Sequence, residues 1–335
     1  MRNRLLGLAA AAGIAVTPAM SAEAAEVNVY SYRQPFLVEP LFKAFTDKTG
    51  IEVNVIFAKK GLIERLKNEG EASPADLVFT VDIGRLHDAM RAGVVEPVKT
   101  DALAANIPAS LRDPDGNWYG LTTRARLFFV SRDRVPEGGI ATYEQLVDPE
   151  WKGRICTRSG KHVYMIALTA SMIAHHGKEK AEEWLTGLKE NLARRPQGND
   201  RAQVKAIHAG QCDVSIGNHY YFQKMLDDPK QKAWADSVRV VFPNQAGRGA
   251  HVNISGASLV KGAPNRANAI ALLEFLSSRE GQGIYARVNG EYPVSADVAG
   301  SGNLAVFKAD ALSLSRVAEL REEAGRMADR VDYDG

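Results

Sequence analysis

The chain has 335 residues, of which 45% are hydrophobic and 24% charged, the balance of an ordinary globular protein rather than a disordered or fibrous one. Its 42 Lys and Arg against 40 Asp and Glu leave a net charge of +2, so the basic footprint of a nucleic-acid binder is absent. Only two cysteines occur, Cys156 and Cys212; in an oxidising compartment they read as one disulfide or as two buried thiols, not as a metal site.

Met1 to Ala24 holds Arg2 and Arg4, an apolar run from Leu5 to Val16, Pro18, and the small-x-small triplet Ala22-Glu23-Ala24. That pattern predicts a cleaved export signal over 1–24, since the run is too short to span a bilayer. No cysteine stands near the cleavage point, so no lipid anchor is expected, and the expected destination is the bacterial periplasm. About 311 residues (335 minus 24) then remain. That exceeds what one core usually serves, so two lobes are expected.

Past the signal, strands and helices alternate. Glu26 to Ser31 is β-rich; Val38, Leu41, Phe42 and Phe45 then recur at helical spacing until Gly50. Ile51 to Phe57 reads as a second strand, followed by a helix through Leu62, Ile63 and Leu66 that ends at Gly70. Ala75 to Val81 reads as a third strand, and a helix through Leu86, Ala89 and Met90 ends at Gly93. Repeated βα units predict a parallel sheet covered by helices. After the turn Asp113-Pro114-Asp115-Gly116, the apolar stretch Leu121 to Ser131 is long enough to cross between lobes. Then come a strand Arg154 to Thr157, helices from His162 to His176 and from Lys178 to Leu192, a short helix capped by Asp200, and a strand Cys212 to Ile216. Strands Val238 to Phe242 and Val252 to Val260, a helix Asn268 to Ser277, and a charged amphipathic helix over the last 20 residues complete the order. The expected fold is α/β, with two lobes hinged like a clam-shell and the ligand between them, facing helix N-termini. Nothing in this order names a ligand.

The sharpest local signal is Asn218-His219-Tyr220-Tyr221, directly after a strand. Adjacent tyrosines in a strand point to opposite faces. In a strand-to-helix turn, with Asn218 as the expected cap, both side chains can meet at the cleft rim. The Arg158-Ser159-Gly160-Lys161 turn repeats that arrangement and opens the helix carrying Tyr164. A phenol ordinarily keeps its proton near neutral pH, its pKa being about 10; a trivalent metal is the obvious species to displace it. Packing remains the alternative for any tyrosine pair.

Several blocks together resemble the ferric-iron-binding proteins of bacterial iron ABC importers. They are Glu26 to Gln34, Ser73-Pro-Ala-Asp76, Gly120 to Arg126, Arg158-Ser-Gly-Lys161, Gly217-Asn218 with Tyr220-Tyr221, and Asn253-Ile-Ser-Gly256. The resemblance implies a type II, transferrin-like binding fold with two crossover hinge strands. It implies one lobe from 25–122 and 248–297 and another from 123–247 and 298–335. The iron tyrosines of the family match Tyr164, Tyr220 and Tyr221. Many relatives carry a His or Tyr ligand in the first block, where this chain has Arg33-Gln34-Pro35; proline cannot ligate and an amide is a poor Fe(III) donor. The chain thereby resembles the subgroup that completes the octahedron with a synergistic anion, carbonate. Arg33, Gln34, Arg124, Ser159 and the Gly160 N–H are the expected anion donors, since a guanidinium can grip two carbonate oxygens. The implied partner is an inner-membrane ABC permease, and a monomer is expected.

Two other readings compete. The same fold could bind an organic or oxyanion ligand (a phosphonate, a polyamine, thiamine or sulfate) with the aromatics stacking on it. An enzyme is disfavoured: Ser159, His162 and Asp200 could be imagined as a hydrolase triad, but no Gly-x-Ser-x-Gly elbow, phosphate loop or HExxH accompanies them. His219 and His162 are expected beside the tyrosines without ligating, and Asp76 and Asp82 as capping or lobe-contact groups.

Overall fold

A computed structural model describes residues 25–295 and 306–335; the expected export signal Met1 to Ala24 and the expected lobe boundary between 297 and 298 lie outside them. Ten strands are described: β1 (Glu26–Ser31), β2 (Glu52–Phe57), β3 (Leu77–Thr80), β4 (Val95–Glu96), β5 (Tyr119–Ser131), β6 (Ile155–Cys156), β7 (Val214–Asn218), β8 (Val238–Val241), β9 (Val252–Val260) and β10 (Tyr292–Pro293).

The opening βα units form as the periodicity predicts. β1 lies between β2 and β3, parallel to both. The helix Pro35–Thr49 starts on a proline at its first turn and ends on Gly50, whose φ of 73° favours a residue without a side chain. Between those ends Leu37, Val38, Leu41, Phe42 and Phe45 are buried, each contributing roughly 1.5–3 kcal/mol relative to exposure. Phe42 meets Phe79 of β3 edge-on at 5.5 Å. One consequence is positional: Arg33 and Gln34, between strand end and helix start, are held at the lobe's edge.

The sheet is mixed, not parallel as the βα pattern suggested. β9 runs antiparallel to both β3 and β5, because the two connections between lobes lie side by side in opposite directions. β5 hydrogen-bonds to β9 as far as Ala125, then to β7 and β8 from Arg126 and Phe128 onward. Its 13 residues span roughly 40 Å at about 3.3 Å per residue, enough to serve both lobes. The return passes beside it: Val252 pairs with Ala125, and the His251 carbonyl accepts from Arg126 N at 2.9 Å. Arg124, Arg126, His251 and Asn253 therefore sit at the hinge.

In the second lobe β6 is parallel to β7, and the disulfide Cys156–Cys212 ties the end of β6 to the approach to β7, with Cα atoms 5.9 Å apart. Of the two possibilities left by the sequence, the disulfide is the one realised. The helix Val163–His176 is buried over most of its surface, flanked by the helices Lys178–Glu190 and Leu314–Arg330. The helix Leu314–Arg330 packs on more than one lobe. Arg321 pairs with Asp88, and Arg91 with Glu322 at 2.9 Å, so it also leans on the first-lobe helix Ile83–Arg91. Among the described residues no helix is long and apolar enough to cross a membrane.

Two capping expectations are corrected. Asn199, not Asp200, caps the helix Asp200–His208, its side chain accepting from Ala202 N at 3.0 Å. Asn218 belongs to β7 and does not cap the helix Tyr220–Leu226; the turn is one residue later than expected, at His219. Asp82 does cap the helix Ile83–Arg91.

Candidate metal centre

Tyr220 and Tyr221 open a helix directly off β7, and Tyr164 lies in the first turn of the helix after β6. Because β6 and β7 are neighbours, the two turns emerge together. All three tyrosines line one cleft of about 400 Å³, whose opposite wall carries Arg33, Gln34, Lys59 and Arg85 from the first lobe. The rings of Tyr220 and Tyr221 are 4.3 Å apart and tilted by 39°. Burial raises the Tyr220 phenol well above its ordinary pKa, and negative charge on Tyr164 and Tyr221 would raise it further. Tyr221 is raised chiefly by burial too, then by Tyr164. Tyr220 and Tyr221, two neighbouring phenols that resist ionising, stay protonated until a strong cation replaces the protons.

Behind Tyr164 lies a cluster of arginines. The guanidiniums of Arg124, Arg126 and Arg158 stand 5.2, 5.7 and 5.1 Å from its ring centre. Asp200, fully buried, accepts from Arg126 at 2.7 Å and from Arg158 at 3.0 Å. Burial alone would raise the Asp200 carboxyl, but the two arginines outweigh it and hold it below the usual carboxylate range. Among the described residues Arg124 has no carboxylate partner. Its Nη1 donates to Ser255 Oγ at 2.8 Å, while Nε and Nη2 are buried without a partner. Buried donors left unpaired cost about 1–3 kcal/mol each, and an anion beside Tyr164 would satisfy both.

The other expected anion donors fare differently. Arg33 is 2% exposed and its two terminal nitrogens are taken by Glu291, at 2.6 and 3.3 Å, leaving only Nε unpaired. Gln34 is exposed at the cleft wall. Ser159 and Gly160 are turned away from the cleft: Ser159 Oγ donates to Asp334 at 2.5 Å and Gly160 N to the same carboxylate at 2.8 Å. A side chain at Gly160 would meet the Tyr333 ring at 2.5 Å. The imagined triad has no shared bond either. Ser159 is held by Asp334, Asp200 by arginines, and His162 Nδ1 accepts from Tyr164 N at 3.2 Å. Burial, then Arg158, lowers His162 to about 3, so it is a neutral cap. His219 is also neutral, lowered by burial to about 4, its ring bridging Ala125 N and the Gly290 carbonyl. Among the described residues no group of three or more His, Cys, Asp or Glu side chains is placed to hold a metal.

Residues 72–310 match the bacterial extracellular solute-binding proteins. The chain belongs to that family. Iron uptake protein A1 of Synechocystis is 44% identical to this solute-binding protein over 312 residues, covering 91% of this chain and 86% of that one. The apo ferric ion-binding protein A of Pasteurella haemolytica superposes with a TM-score of 0.87 at 49% identity, covering 93% and 99%. A Trichodesmium FutA bound to iron and citrate superposes with a TM-score of 0.85 at 43% identity, covering 92% and 99%. The fold of this solute-binding protein is thus the two-lobed type II clam-shell.

Arg126, Arg158 and Glu291 carry no role of their own in the sequence reading, and Asp200 enters it only as a helix cap and as a member of the disfavoured triad, although Arg126 and Arg158 stand within the blocks that bear the resemblance. Arg158 was detectable from its place in the turn leading to Tyr164. Glu291 had no local signal: it meets Arg33 across 258 residues.

Proposed function

We propose that this protein captures Fe(III) in the periplasm with the phenolates of Tyr164, Tyr220 and Tyr221 and delivers it to an ABC importer. One observation carries this reading: three tyrosines from two adjacent turns line a single cleft, beside a buried guanidinium with two unpaired N–H groups. Carbonate fits as the synergistic anion, with Arg124 as its main donor and Gln34 and Arg33 Nε in support. Arg33 contributes no more than Nε because Glu291 already takes its two terminal nitrogens. Ser159 and Gly160 instead shape the turn that presents Tyr164. The role is capture and release; none of these side chains is assigned a catalytic step. The relatives named iron uptake protein and ferric ion-binding protein support the same cargo.

The basic walls also suit a free oxyanion or an organic anion, and one experiment separates the two readings. Apo protein is titrated with ferric citrate while visible absorption and bound metal are followed. The iron reading expects a phenolate-to-iron band at one iron per chain, weakened when bicarbonate is withheld and lost in Tyr220→Phe. No band, with a phosphonate or sulfate binding instead, selects the oxyanion reading.

A further inference from the structure

A second, much smaller chamber lies behind Tyr164, at the hinge. Its volume is about 10 Å³, and it is lined by Arg124, Arg126, Tyr164, Asn218, His251 and Asn253. Of these six only Tyr164 also lines the tyrosine cleft, so Tyr164 stands between the two spaces. The chamber has room for roughly one water molecule or one small ion. Its lining decides between them. Arg126 spends Nη1 on Asp200 at 2.7 Å and on Asn218 Oδ1 at 3.1 Å, and Nη2 on the Met165 sulfur at 3.7 Å. Its Nε is buried without a partner among the described residues, and so are Asn218 Nδ2 and Arg124 Nε and Nη2. Asn253 has both ends engaged: Oδ1 accepts from Ile83 N and Ile254 N, and Nδ2 donates to Asp82. The unpaired atoms are all donors, and a guanidinium cannot accept. A water molecule would bring two protons of its own to a wall of donors; an anion brings none.

Charge points the same way. Asp200 cancels only one of Arg126 and Arg158, so this buried set keeps one positive charge. His251 adds none, because burial, then Arg126 and Arg124, hold it neutral. On the iron reading, loading balances everything: three phenolates match Fe(III), and the two charges of carbonate match Arg124 and the surplus of the Asp200 set. Before cargo arrives neither positive charge has a partner, and buried charge without one is costly.

We propose that in the iron-free protein this hinge chamber holds one monoatomic anion of the chloride class, bound by Arg126 Nε and Asn218 Nδ2 with Arg124 in support, and that the anion leaves as iron and carbonate load. Arg124 then passes from one anion to the other. Arg124 and Arg126 belong to β5, and His251 and Asn253 to the chain entering β9, so the ion sits between the two connections that join the lobes. By linkage, the halide weakens iron binding by the same factor by which iron weakens halide binding. The displacement rests on the iron reading above; the site does not.

Crystals of the iron-free protein soaked in sodium bromide and measured at the bromine absorption edge test the site. One anomalous peak is expected in the chamber, within hydrogen-bond reach of Arg126 Nε and Asn218 Nδ2. In iron-loaded crystals soaked the same way it should be gone. In solution, iron binding is followed by its visible band against citrate as a competing chelator, in sodium bromide and in sodium gluconate of equal ionic strength. Gluconate is too large for the chamber, so it controls for screening. Bromide should raise the iron concentration for half-loading about fivefold or more. Asn218→Asp, which sets a fixed negative charge on the chamber wall, should lose the peak and bring the two salts together. If that variant does not fold, as judged by circular dichroism, Asn218→Ala, which removes the donor, is read the same way. Bromide on the surface alone, or an ordered water without anomalous signal in the chamber, overturns the site. Equal half-loading in the two salts, or a chamber peak unchanged by iron, overturns the displacement. No visible band from wild type in either salt instead overturns the iron reading, and the bromide map still judges the site.

Discussion

Around Tyr164 the fold concentrates charge that water would otherwise screen. Among the described residues Asp200 is the only carboxylate bonded to Arg126 and Arg158, and all three are nearly or fully buried. Removing one member of such a set leaves uncompensated charge in the interior and costs about 3–5 kcal/mol. Asp200→Ala should therefore lower the unfolding free energy by that much and the urea midpoint with it, and Asp200→Asn, which keeps hydrogen-bonding atoms, by less. An unchanged midpoint in both would show that water already satisfies the arginines. Arg124 makes a different contribution. Only its Nη1 is engaged, so Arg124→Lys should fold normally yet lose the two-point grip on an anion. The expected readout is an iron band that no longer strengthens when bicarbonate is added; full bicarbonate dependence in the variant would assign the anion to another donor.

At the scale of elements, the metal site is two turns set on adjacent strands and braced from behind. The disulfide closes a loop between residues 56 apart, worth about 4 kcal/mol in the chain-entropy account. The double variant Cys156→Ala, Cys212→Ala should unfold at correspondingly lower urea, and equal midpoints would refute the bracing role. The second brace is Asp334. Its carboxylate takes both Ser159 and Gly160, while the Tyr333 hydroxyl meets Thr157 at 2.9 Å. Asp334→Ala should loosen the turn that leads to Tyr164 and speed iron loss to a competing chelator, with Asp334→Glu retaining part of the hold. This brace could not be read from the sequence. Ser159 and Gly160 carry every mark of an anion-binding turn, and only the fold shows that a carboxylate 175 residues away already occupies it. The tyrosine turns were legible because strand, break and helix start are encoded within a few residues of each other. Arg33–Glu291, Arg126–Asp200 and the antiparallel course of β9 were not, because each depends on where distant segments meet.

For the whole molecule the hinge decides behaviour. β5 and the segment entering β9 lie against each other where the sheet passes from lobe to lobe, so closure would bring the basic first-lobe wall onto the tyrosines. His251 sits in this hinge, buried, its pKa held at about 3 by burial first and by Arg126 and Arg124 next. An unfolded histidine takes up its proton near 6.5, so below that pH the unfolded chain binds more protons. Stability is present above pH 6.5 and is lost as pH falls toward 3, by up to about 2 kcal/mol at pH 5 from this residue. Urea midpoints at pH 7 and 5 should therefore differ more for wild type than for His251→Gln; an equal difference would remove His251 as the cause.

The central claim is that three phenolates from one lobe hold the cargo. An iron-loaded crystal measured at the iron absorption edge tests it most directly. The account predicts one anomalous peak, placed between the Oη atoms of Tyr164, Tyr220 and Tyr221, with an anion bridging it to Arg124. A peak away from those three oxygens, or an iron-soaked crystal with none, would contradict it.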